Sequence, residues 1–84
     1  MITKQQLIDI GFTSRDDVNF YYIFNDDLNN QIGIEVFQNS YIFYIETYDP
    51  IKGIWNENEI PLIDCYTLEY LKQQINNIKN LFKL

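Results

Sequence analysis

NFYYIFNDDLNNQIGIEVFQNSYIFYIETY, residues 19–48, contains three runs rich in β-branched and aromatic residues, separated by clusters of Asn, Asp and Ser. Runs of this kind, at 19–25, 31–38 and 41–48, read as strands, and the polar clusters between them read as turns. The segment 26–30 (DDLNN) forms the first hairpin loop and Asn39-Ser40 a tight second turn, which predicts an antiparallel meander. Because side chains alternate across a strand, each run divides into two faces. Phe20, Tyr22 and Phe24, with Ile32, Ile34, Val36, Tyr41, Phe43 and Ile45, make the natural core. The opposite face receives Tyr21, Glu35, Phe37, Tyr44, Glu46 and Tyr48.

The flanking segments carry their own signals. Downstream, residues 49–53 (DPIKG) look like a turn ending in a glycine bulge, returning 54–58 as a short fourth strand; Pro61 then interrupts 59–64, which reads as an extended connection. Upstream, Thr3 and Gln6 form a capping box, with Ile2 and Leu7 placed as a hydrophobic staple. Gly11 suits the left-handed position after a helix end, with Phe12 folding back on Leu7, so a short helix is expected at 4–10. Near the C-terminus Thr67 is an N-cap and Glu69 lies in the first turn, where its charge suits the helix dipole. Leu68, Leu71, Ile75, Ile78 and Phe82 recur at intervals of three and four residues, the apolar stripe of a longer amphipathic helix. The order α-β-β-β-(β)-α predicts that residues 1–84 form a single α+β domain: a three- to four-stranded antiparallel sheet with both helices on one face.

Composition narrows the classes. The chain is 46% hydrophobic and 17% aromatic, far from the signature of disorder, so a folded core is expected. At 84 residues that core is modest, with about 60% of the unfolded surface buried. The longest uncharged apolar run, 41–45, is too short to cross a bilayer, and no basic region followed by an apolar stretch opens the chain, so neither membrane nor export is expected. The single cysteine, Cys65, has no internal partner and no basic neighbour in sequence to activate it; an inert thiol in a reducing, cytoplasmic setting is the expectation.

Candidate chemistry is sparse. Without histidine, Ser-His-Asp and Cys-His catalysis are excluded. Glu35 with Glu46, Asp16-Asp17, Asp26-Asp27 and Glu57 with Glu59 are possible carboxylate pairs, but acids in such settings usually serve as solvated charge. The stretch 27–38 fails as a calcium loop, with Ile32 where glycine is needed and Gln38 where a bidentate glutamate is needed. The three glycines are too scattered to form a phosphate loop. No catalytic residue, metal site or cofactor is therefore expected, and the protein is not expected to be an enzyme. Twelve acids against six bases, a net charge of −6, oppose direct nucleic-acid binding even by an aromatic sheet face.

The opening TKQQLIDIGF, the meander containing FYYIF and YIFYIETY, and the closing TLEYLKQQINNIKNLF resemble, in layout and composition, small acidic proteins of phages and bacterial mobile elements. That resemblance implies an inhibitor of host defence, such as an anti-CRISPR protein, acting in the host cytosol; it transfers no residues. The residues themselves point to a non-catalytic protein-binding module. Tyr21, Glu35, Phe37, Tyr44, Glu46 and Tyr48 would meet a basic surface on a partner, such as a CRISPR or other defence nuclease. The alternative is a self-associating protein that dimerises through the same aromatic face; the fourth strand or the Pro61 segment would otherwise cover it.

Overall fold

The computed structural model describes residues 2–27, 30–62 and 67–83, with the side chain of Asp26 excepted. Cys65, the tip of the first hairpin loop and most of the connection after Pro61 lie outside the described residues. Six elements follow one another: α1 (Lys4–Asp9), β1 (Asn19–Asp26), β2 (Asn30–Phe37), β3 (Ser40–Asp49), β4 (Ile54–Pro61) and α2 (Leu68–Phe82). The strands form one antiparallel sheet in the order β1-β2-β3-β4, so the chain is an α+β domain with the expected layout.

Both ends of α1 are built from side-chain and turn chemistry. Thr3 Oγ1 accepts the Gln6 amide at 3.1 Å while the Thr3 amide donates to Gln6 Oε1 at 2.9 Å, completing the capping box. At the other end the Gly11 and Phe12 amides donate to the carbonyls of Ile8 and Leu7, at 3.1 and 2.9 Å. This paired closure needs a left-handed residue, and Gly11 supplies it at φ 114°. In α2, Thr67 Oγ1 accepts the Tyr70 amide at 3.2 Å, and Leu71, Ile75 and Ile78 are buried. Phe82 is partly exposed but stacks on Phe43, ring centroids 6.0 Å apart.

The core forms where the two helices meet the predicted sheet face. Ile2, Leu7, Phe12, Leu71, Ile75 and Ile78 pack in one cluster with Phe20, Ile34, Val36, Tyr41 and Phe43, and Tyr22, Phe24, Ile32 and Ile45 border it. Phe12 meets Tyr22 edge-on at 5.4 Å, and Lys79 Nζ lies over the same tyrosine ring at 5.3 Å from its centre. Among the described residues no helix is long and apolar enough to cross a membrane.

Three details differ from the reading of the sequence. The β2–β3 turn is Gln38-Asn39, not Asn39-Ser40: both turn residues have positive φ, 47° and 66°, and Phe37 pairs with Ser40. Two-residue hairpins favour this left-handed pair because its twist matches that of the strands. The β1–β2 ladder slips between Ile23 and Asn25, so Phe24 is an extra residue in a bulge. Finally, β4 runs on to Pro61, which pairs with Ile42, where an extended connection was expected from Glu59 onward. Proline is tolerated there because it closes an outer strand, and the Leu62 amide bonds the Tyr41 carbonyl at 2.8 Å just beyond it.

Candidate functional site

The helices occupy one face of the sheet and leave the other as the candidate site. Cross-strand register arranges that second face in rows. Asn19, Phe37 and Ser40 form one end; next come Tyr21, Glu35, Ile42 and Pro61, then Ile23, Gly33, Tyr44 and Glu59. Gln31, Glu46 and Glu57 follow, and Tyr48 paired with Trp55 closes the far end, their rings 5.3 Å apart. β4 thus extends this face rather than covering it.

All six residues expected at the site share the face, but they play different parts. Tyr21, Glu35, Tyr44 and Glu46 line a shallow concavity of about 540 Å³, walled on the β1 side by residues 13–16. Phe37 and Tyr48 do not line it; they mark the two ends of the sheet. Tyr44 is only 3% exposed, so it is the floor of the concavity and not a projecting anchor. Its ring lies across Gly33, where an added Cβ would stand 2.6 Å from the Tyr44 Oη, and that hydroxyl donates to Gln31 Oε1 at 2.9 Å. Glycine at 33 is what gives the ring room to lie down. The exposed apolar surface comes instead from Ile23, Phe37 and Trp55.

The wall at 13–16 is tied by hydrogen bonds. Thr13 exchanges two backbone hydrogen bonds with Tyr21, at 2.9 and 2.8 Å. Asp16 then organises the turn into β1: its carboxylate accepts the Val18 and Asn19 amides at 2.9 and 2.8 Å, the Asn19 side-chain amide at 2.9 Å and the Ser14 hydroxyl at 3.3 Å. Those donors hold the Asp16 carboxyl far below the usual carboxylate range, led by the Asn19 and Val18 amides. Asp27 and Asp49 do similar work, accepting the amides of Asn30, and of Ile51 and Lys52.

The acids therefore divide by task. Asp16, Asp27 and Asp49 are spent on turns and Glu69 on the first turn of α2, whereas Glu35, Glu46, Glu57 and Glu59 converge on the second face. Glu46 and Glu57 stand directly opposite one another, an arrangement that costs stability. Partial burial raises the pKa of Glu35, and the charges of Glu59 and Glu46 raise it further. Glu57 is raised by a side-chain hydrogen bond to Glu59, by slight burial and by repulsion from Glu59, Glu46 and Glu35. Tyr21 is raised by burial and then by Glu35, Asp16 and Glu46, with Arg15 opposing. For Glu35 and Glu57 the charges that act are those of other glutamates, so a cation brought to this face relieves repulsion the fold leaves in place.

Trp55, Glu57 and Glu59 were missed as site residues because β4 was read as ending at 58 and was not placed in register. The signal was present in WNENE at 55–59, whose alternation puts the tryptophan and both glutamates on one side. Among the described residues, no group of three or more His, Cys, Asp or Glu is placed to hold a metal ion. Comparison with protein-family models, with curated proteins and with solved structures yields no match.

Proposed function

We propose that the protein is a non-catalytic binding module whose open sheet face docks on a basic surface of another protein. The carrying observation is the convergence of Glu35, Glu46, Glu57 and Glu59 on a face whose partly exposed apolar groups include Ile23 and Trp55. Aromatic and aliphatic groups supply area to bury, and the carboxylates steer a cationic partner and repel polyanions. The resemblance to phage proteins narrows the proposal to an inhibitor of a host defence effector, such as a CRISPR nuclease, occupying the surface that otherwise holds guide or target.

The test uses tagged wild type and the double variant Tyr21→Ala/Glu35→Lys, whose positions line the concavity without forming its floor. Capture of a basic nucleic-acid-handling protein should fall at least about tenfold in the folded variant, equivalent to about 1.4 kcal/mol, and should weaken with added salt. Equal capture by both forms overturns the reading. The exposed Ile23, Phe37 and Trp55 also favour a homodimer through this face, which light scattering tests directly. A strict monomer at high micromolar concentration removes that second reading.

A further inference from the structure

The two outer strands of the sheet end differently. Along β1, Thr13 takes up both backbone groups of Tyr21 and the bulge at Phe24 breaks the ladder, two devices that blunt an edge against further pairing. β4 has neither. Its register with β3 is unbroken over eight residues, all eight are exposed, and among the described residues nothing pairs with its outer side. It carries no lysine, and its one proline is the last residue. An exposed outer strand of this length, in unbroken register, is a template for another strand.

Charge selects what can be added. Glu57 and Glu59 point to the same face, about 7 Å apart along the strand, with Glu46 behind them in β3. A second copy of β4 laid antiparallel on the first would bring glutamates against glutamates, which opposes self-pairing. A strand with Lys or Arg at alternate positions meets opposite charges instead, while its intervening side chains lie beside Asn56 and Asn58. Trp55 on the glutamate face and Ile54 and Ile60 on the other, all exposed, offer apolar contact at both ends of such a segment.

We propose that the outer edge of β4 receives an extended basic segment of the partner protein as a fifth strand, its alternating Lys or Arg side chains facing Glu57 and Glu59. This rests on the binding-module reading and adds to it a mode, main-chain pairing at one edge, and a recognisable sequence pattern in the partner.

The probe is a nine-residue peptide alternating Lys and Thr, added to the full chain at low salt, with amide hydrogen exchange followed by NMR. Alternate amides of β4 should exchange at least about tenfold more slowly at saturating peptide, with β1 amides unchanged. The same peptide N-methylated at alternate residues, a Glu-for-Lys peptide, and the Glu57→Lys/Glu59→Lys variant with the original peptide should all fail to protect β4. If the N-methylated peptide perturbs Tyr21, Glu35 and Ile42 as strongly as the unmodified one, binding is to the open face alone; the edge proposal falls and the binding-module reading stands. Protection of β4 that rises with protein concentration in the absence of peptide identifies a second copy as occupant and overturns the proposal, as does an absence of protection under every condition.

Discussion

The two faces of the sheet draw on the same strands and on similar aromatic and β-branched residues, yet one carries both helices and the other carries none among the described residues. The difference lies in a few charged positions. Nothing on the core face from Phe20 to Ile45 is ionisable except tyrosine, whereas Glu35, Glu46, Glu57 and Glu59 stand on the other. Covering four carboxylates with an apolar helix stripe would cost several kcal/mol for each unpaired charge, so helix docking is confined to the uncharged side. The glutamates thus fix where the core forms as well as what the open face attracts.

The largest test of this contrast compares truncations on the two sides. Ile34 and Leu71 are wholly buried, and replacing either with alanine should cost about 3 kcal/mol in urea unfolding, through lost burial and the cavity left behind. Trp55→Ala, at a residue 53% exposed, should cost less than about 1 kcal/mol. Comparable losses at both sites would mean that the second face is covered in solution and would break the comparison.

Gly33 marks the one place where the open face behaves like a core. An added methyl there would stand 2.8 Å from the Tyr22 carbonyl oxygen as well as against the Tyr44 ring, and a backbone atom cannot step aside. Gly33→Ala should therefore cost about 2 kcal/mol by overpacking. Combining it with Tyr44→Phe should recover only part of the loss, because the hydroxyl is just one of the three nearest contacts. Full recovery in the double variant would show that the hydroxyl, and neither the ring nor the main chain, sets the limit.

The pH dependence separates the aspartates in turns from the glutamates on the face. Glu35 and Glu57 have raised pKa values, so the folded state holds protons that the unfolded state releases, and stability should rise as pH falls from neutral toward the ordinary carboxylate range. Asp16 works in the opposite sense: its depressed pKa contributes stability above the ordinary aspartate range, lost as pH falls well below it. The melting temperature should therefore peak in mild acid. Glu35→Gln/Glu57→Gln should flatten the neutral side of that peak, and salt should shrink it, because these groups are largely solvated. A wild-type melting temperature that only falls between pH 7 and 5 would contradict the account.

Much of this organisation was legible in the sequence, and what was not has a common cause. Period-two alternation assigned each of Phe20 to Ile45 to its side, and Thr3, Gln6 and Gly11 bounded α1, because these signals act within a few residues. Register was not local. Turns at Gln38-Asn39 or at Asn39-Ser40 leave the same residues on the same faces, yet they set Ile34 opposite Phe43 or opposite Ile45; only the left-handed geometry of Gln38 and Asn39 selects the former. Pro61 read as a breaker, since nothing in its neighbours reveals that it ends an outer strand. The glutamate patch depended on both points, because Glu57 and Glu59 join Glu46 and Glu35 only once β4 is aligned on β3. Tyr44 was placed among the residues that would meet a partner because alternation names a side, whereas its burial comes from lying over Gly33.

The smallest expected effect discriminates most finely between a charge kept for the fold and one kept for a partner. Glu57 is solvated and faces Glu46 across the β3–β4 ladder, so Glu57→Lys exchanges a like-charge pair for an opposite-charge pair in the same register. Cross-strand pairs of this kind contribute a few tenths of a kcal/mol, and screening at an exposed site keeps the gain to about 0.5 kcal/mol. The variant should unfold at slightly higher urea concentration than wild type, with Glu57→Gln between them, while its affinity for the alternating Lys peptide falls. Stability and binding moving in opposite directions is the mark of a residue held at some cost to the fold for the sake of an interaction. If Glu57→Lys instead destabilises the chain and leaves peptide binding unchanged, Glu57 serves the fold, and the electrostatic distinction between the two faces loses its functional meaning.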